Sequence, residues 1–102
     1  MLSAARVSQP DSPLDQAVRA ISMFRSFEEM RADMQRTGYI PCLRTDRNVC
    51  PTPELHAAAV LVIRALQALP LRIYAPLDPE AGGECTLQEG GKPVRFGRAR
   101  AA

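Results

Sequence analysis

The chain has 102 residues, with thirteen basic and eleven acidic side chains and a net charge of +2. That length sets one domain, whose core buries about two-thirds of the unfolded chain's surface. So small a net charge excludes general electrostatic capture of nucleic acid or of an anionic membrane, and any such attraction must be local. Twelve of the thirteen basic residues are Arg, a bias that accompanies abundant Ala and Pro and is read as compositional rather than as phosphate recognition.

Residues 1–11 lack apolar periodicity and carry Ser, Gln, Pro and Asp, which marks an N-terminal arm. They contain no apolar core of a secretory signal and too little charge for a mitochondrial presequence. The cysteines, Cys42, Cys50 and Cys85, are odd in number. Free thiols in a cytoplasmic protein are therefore expected, rather than a secreted disulfide framework.

Ser12-Pro13-Leu14-Asp15 opens the first helix, with a hydroxyl cap, a proline at the first helical position and an acid three residues after the cap. No Gly or Pro interrupts the chain until Gly38, a C-terminal stop after Arg36 and Thr37. The apolar stripe rotates midway, because Leu14, Val18 and Ile21 face one way and Phe27, Met30 and Met34 nearly the other. Ser26-Phe27-Glu28-Glu29 has the form of a second capping box. Ser12–Thr37 thus reads equally as one continuous helix or as two segments broken near Arg25.

Tyr39–Cys50 reads as a loop, with Thr45-Asp46-Arg47-Asn48 as its turn and Ile40, Leu43 and Val49 pinning it to the domain. Thr52-Pro53-Glu54 then caps a helix that Pro70 ends. At about 100° per residue, His56, Arg64 and Gln67 form its one polar stripe. The apolar arc has a bulky half of Leu55, Val62, Ile63, Leu66 and Leu69. Its second half consists of Ala57, Ala58, Ala65 and Ala68 around Leu61. A helix apolar over most of its circumference is covered on two sides, by a core or by another subunit. It is shorter than the roughly 20 apolar residues of a membrane span, so no membrane association is expected.

The period then changes to two, with Leu71, Ile73 and Ala75 on one face of a strand and Arg72 and Tyr74 on the other. Pro76–Gly83 reads as an open surface loop. Glu84–Phe96 reads as a hairpin turning at Gly90-Gly91, where the positive φ of a two-residue turn is available. The implied register sets Leu87 opposite Val94, Cys85 opposite Phe96 and Glu89 opposite Lys92, so that all the apolar residues of the hairpin land on one side, with the helices packed on one face of the sheet. Pro93 then falls at a non-hydrogen-bonded position of an edge strand, and Leu71–Ala75 pairs with residues 84–88.

The expected fold is therefore α+β, with two or three helices packed on a small antiparallel sheet that contains a C-terminal β-hairpin. The domain spans 12–97 and residues 98–102 form a basic tail. Cys42, Cys50, His56 and Cys85 lack the close ligand pairs of a zinc module, so no metal and no cofactor are expected. Cys42 or Cys50 with His56 would be a nucleophile and base in composition only, since no glycine-rich oxyanion or phosphate loop accompanies them. No enzyme is expected.

The leading expectation is a small regulatory or adaptor protein acting through protein–protein contact, as a homodimer or small oligomer, through Ala57, Ala58, Leu61, Ala65 and Ala68. A rival is a nucleic-acid accessory protein. Three helices followed by a hairpin are similar in outline to a winged-helix module, with Lys92, Arg95, Arg98 and Arg100 on the wing and tail contacting phosphates. Against it, the third helix lacks the polar side chains a recognition helix shows to the major groove. Thiol regulation through Cys42 and Cys50 is a third reading.

Overall fold

A computed structural model describes residues 12–94. The expected N-terminal arm, the basic tail and the pairing of Cys85 with Phe96 lie outside the described residues. Three helices, α1 (Pro13–Ile21), α2 (Phe27–Thr37) and α3 (Pro53–Gln67), precede three strands, β1 (Arg72–Asp78), β2 (Gly82–Glu89) and β3 (Lys92–Pro93). The strands form one antiparallel sheet in the order β1-β2-β3, so the fold is α+β.

The helix ends follow their local chemistry. Ser12 Oγ accepts from the Asp15 amide and Thr52 Oγ1 from the Leu55 amide, both at 3.1 Å. These bonds satisfy first-turn donors that the helix itself leaves unpaired. Gly38 closes α2 in the left-handed region at φ 73, where a side chain would be strained.

Of the two readings of Ser12–Thr37, the break is the one found, and hydrogen bonds hold both of its ends. Ser22 ends α1 by returning both its amide and its hydroxyl to the Val18 carbonyl, at 2.9 and 2.8 Å. Ser26 Oγ starts α2 by accepting from the Glu29 amide at 3.1 Å. The reciprocal carboxylate reaches one residue further back than in the standard capping box, with Glu29 Oε1 accepting from the Arg25 amide at 2.8 Å. Turning the chain here lets Val18 and the oppositely phased Met30 and Met34 enter one core.

That core lies between the helices and β1. Val62, Ile63 and Leu66 of α3 are fully buried with Val18 and Ile73, and Ala17, Leu71 and Ala75 complete the centre. α1 is the principal helix partner of α3. The alternation expected for β1 holds, since Leu71, Ile73 and Ala75 are buried while Arg72 and Tyr74 are half-buried.

The sheet register agrees with the hairpin turn. Glu89 pairs with Lys92, and the Val94 amide donates to the Leu87 carbonyl at 2.7 Å. Pro93 lies between these rungs on the edge strand, where its missing donor costs no ladder bond. Ile73 pairs with Gln88 and Ala75 with Thr86.

Three expectations are corrected. Pro76–Gly83 is not an open loop: β1 runs on to Asp78, β2 begins at Gly82, and a register shift lies between Pro76 and Asp78. Pro76 and Pro79 are fully buried, so prolines that read as loop markers pack as apolar residues at an irregular strand end. The second correction concerns faces. The register places Gln88, not Leu87, beside Ile73 on the α3 side, and Leu87 is buried on the opposite face with Tyr74 as its partner.

The third concerns the segment between α2 and α3. Val49 is 44% exposed and does not pin it. Thr45 is buried and its Oγ1 donates to the Pro79 carbonyl at 2.8 Å. Cys42 forms a parallel bridge with Tyr74, in which the Leu43 amide donates to the Tyr74 carbonyl at 2.6 Å and the Tyr74 amide to the Pro41 carbonyl at 3.0 Å. β1 is therefore flanked by β2 on one side and by residues 41–43 on the other.

Candidate functional site

Two regions gather side chains that the core does not consume, namely the outer face of α3 and the thiols beside β1. On α3, Ala59, Val62, Ile63 and Leu66 point into the core. The residues expected to form an interaction face divide: Ala57, Leu61 and Ala68 are exposed, whereas Ala58 and Ala65 are half-buried and Ala58 packs against the core. Leu61 is 41% exposed. It lies in a shallow groove of about 560 Å³ with His56, Ala57, Val60, Arg64 and Glu80. The rim carries both signs of charge, and Arg64 also approaches Asp78 at 3.4 Å in an exposed ion pair, a contact worth little by itself.

Of the basic residues offered to nucleic acid, Lys92 is exposed beside the hairpin turn, while Arg95, Arg98 and Arg100 lie outside the described residues. The outward side of α3 carries Ala57, Leu61, Arg64 and Ala68, a set with one hydrogen-bonding head group for a groove of base edges.

All three cysteines are free thiols. Cys50 is buried and donates to the Arg44 carbonyl at 3.6 Å, and burial pushes its thiol pKa upward. Its partner is thus a main-chain oxygen rather than His56, which is half-buried near the start of α3. Among the described residues, no three His, Cys, Asp or Glu side chains gather closely enough to hold a metal ion.

Cys42 and Cys85, distant in sequence, meet. Cys42 is in register with Tyr74 on one edge of β1, and Cys85 is in register with Pro76 on the other. In a parallel ladder, the rung after Leu43–Tyr74 would take an amide from position 76, and Pro76 has none. The Leu43 carbonyl accepts instead from Cys85 Sγ at 3.4 Å. This turns the Cys85 thiol toward residues 42–43. Burial, reinforced by Cys42, pushes the Cys85 thiol up to about 11.

Arg44 and Asp46 stand beside the thiols as a two-pronged ion pair, Nε to Oδ1 at 2.8 Å and Nη2 to Oδ2 at 2.9 Å. The guanidinium interacts electrostatically with both Cys42 and Cys85. Its hydrogen bond holds the Asp46 carboxyl below the usual carboxylate range and raises Arg44 in turn.

The thiol reading of the sequence named Cys42 and Cys50, which share one loop. The fold also turns the Cys85 thiol toward residues 42–43. The expected pairing of Leu71–Ala75 with residues 84–88 brings Cys85 close to the end of β1, but nothing local marks residues 41–43 as the strand's other neighbour.

No family model matches the chain, and comparison with curated proteins and with solved structures found no match. Among the described residues, no helix is long and apolar enough to cross a membrane.

Proposed function

We propose that this protein is a small non-enzymatic regulatory or adaptor module that works by protein–protein association through the outer face of α3, with a second copy of itself as partner. The observation that supports this reading is the alignment of exposed Ala57, Leu61 and Ala68 on a helix whose opposite side is already buried. One exposed leucine needs no explanation. A large apolar side chain flanked by alanines along one helix face, in a groove, is a surface suited to another helix.

Small residues permit helix axes to approach toward the lower end of the usual range of about 8–10 Å. A two-fold axis near Leu61 would oppose the two leucines and let Arg64 of each copy face Glu80 of the other, an isologous contact that closes on itself. α3 has 15 residues, about 22 Å at the usual rise. One such stripe falls short of the about 800 Å² per partner of a standard interface, so the association is weak and reversible.

Sedimentation equilibrium over a wide concentration range tests it. The full chain should show a monomer–dimer equilibrium that Leu61→Glu shifts to monomer without lowering the unfolding midpoint. Ala58 and Ala65 are unsuitable probes because both are half-buried in the monomer. A chain that stays monomeric at every soluble concentration, or a dimer that tolerates Leu61→Glu, overturns the reading. Co-purifying nucleic acid released by salt would favour the rival with the basic tail.

A further inference from the structure

We infer that Cys42 and Cys85 form an oxidisable dithiol site, which exchanges with low-molecular-weight disulfides and closes a Cys42–Cys85 bridge across β1. The inference goes beyond the association proposed for α3 and does not depend on it. Four observations converge on it. Cys85 Sγ donates to the carbonyl of Leu43, the residue next to Cys42, at 3.4 Å, and the registers with Tyr74 and Pro76 set both cysteines on one face of the sheet. Cys42 is exposed and Cys85 half-buried, so one thiol meets solvent while the other lies behind it. The Arg44 guanidinium interacts electrostatically with both, which favours the approach of an anionic disulfide, against the offsetting charge of Asp46. Finally, the segment carrying Cys42 is joined to β1 through two backbone hydrogen bonds and its ladder ends at Leu43, so this segment is the part that must move to bring the sulfurs to the roughly 2.05 Å, and the Cα atoms to the roughly 4.4–6.8 Å, of a disulfide.

The third cysteine supplies an internal contrast. Cys50 is buried at 5% exposure and its thiol is committed to the Arg44 carbonyl. It has neither the exposure of Cys42 nor a place beside β1 in register with it.

The chemistry balances with glutathione disulfide as oxidant. The Cys42 thiolate attacks one sulfur of the disulfide, the sulfur–sulfur bond breaks, and one glutathione thiolate leaves, giving a mixed disulfide on Cys42. Cys85 then loses its proton, attacks the Cys42 sulfur and expels the second glutathione thiolate. Two protein thiols are oxidised by two electrons, one disulfide is reduced to two thiols, and the two protons pass from the protein sulfurs to glutathione. Cys42 is exposed and Cys85 half-buried, which makes Cys42 the attacking residue and Cys85 the resolving one, in keeping with burial that pushes the Cys85 thiol up to about 11.

The test treats the reduced, folded, full-length chain with glutathione disulfide and follows intact mass and disulfide-mapped peptides. The expected product has lost two hydrogens and links Cys42 to Cys85, and dithiothreitol restores the starting mass. Cys50→Ser should form the same link. Cys85→Ser should stop at a glutathione adduct on Cys42. Under native conditions, iodoacetamide should label Cys42 at least about tenfold faster than Cys50. A link involving Cys50, a wild-type adduct on Cys42 that never resolves, or a folded chain that remains fully reduced overturns the proposal. Because Cys50→Ser and the wild type are read independently, a variant that fails to fold does not decide the result.

Discussion

Asp15 of α1 accepts a hydrogen bond at Oδ1 from the backbone amide of Phe27 at 2.9 Å, so a side chain in the first turn of one helix caps the next. Arg19 reinforces the join by donating from Nη1 to the Arg25 carbonyl at 3.1 Å. The break between α1 and α2 is thus a specific joint in which side chains of α1 satisfy main-chain groups of α2 and of the turn before it.

Replacing Asp15 by Ala removes the acceptor for Phe27 together with a favourable charge in the first turn of α1. The expected loss is about 1–2 kcal/mol in urea unfolding. Asp15→Asn keeps an oxygen acceptor and should lose less. Hydrogen exchange should quicken at the Phe27 amide in the Ala variant, and an unchanged rate would show that the cross-helix bond contributes nothing.

Gln88 is fully buried. Its Nε2 donates to the carbonyls of Ala75 at 2.6 Å and Pro76 at 3.1 Å, and its Oε1 accepts from Gln67 Nε2 at 3.1 Å. This amide joins α3, β1 and β2. Gln88→Leu leaves buried carbonyl oxygens short of donors and should cost about 1–3 kcal/mol. Gln88→Glu should cost more, because an ionised carboxylate has no donor to offer and would face those same oxygens. Equilibrium denaturation of the two variants ranks them.

Gly91, at φ 84, sits against the end of α3, where an added Cβ would lie 2.9 Å from the Gln67 carbonyl oxygen. Gly83, at φ 99, has no heavy atom within 4 Å of such a Cβ. Both Ala variants carry the backbone strain of a positive φ, about 1–2 kcal/mol. Only Gly91→Ala adds the collision, so its unfolding midpoint should fall further. Equal losses would mean that the hairpin turn and the helix end yield freely.

Cys85 gives the protein an alkaline signature. Its folded-state pKa is raised from 9.0 to about 11, so the neutral thiol is favoured by the fold. The corresponding stability is fully present below the unfolded value and declines as pH rises through the folded one. Under reducing conditions, stability should therefore fall between about pH 9 and 11, and Cys85→Ser should flatten that fall. A wild-type and variant pair with parallel profiles would contradict the assignment.

The sequence by itself determined the parts whose causes are local. Ser12, Ser26, Thr52 and Gly38 set helix ends because their partners lie within a few residues. Gly90-Gly91 set the hairpin register, and the alternation of Leu71, Ile73 and Ala75 marked the buried face of β1. The two-sided apolar character of α3 was equally plain, with Leu61 in its second half.

Tertiary structure decided what depends on distant neighbours. Asp15 and Arg19 selected the break between α1 and α2 by bonding the main chain of the turn and of α2. Burial turned Pro76 and Pro79 from loop markers into packed residues. The antiparallel register set Gln88 toward α3 and Leu87 away from it. Long-range pairing also brought Cys85 to residues 42–43, because Pro76 offers no amide to the Leu43 carbonyl and a thiol takes its place. Local chemistry specifies which groups need partners, and only the packed chain specifies who they are.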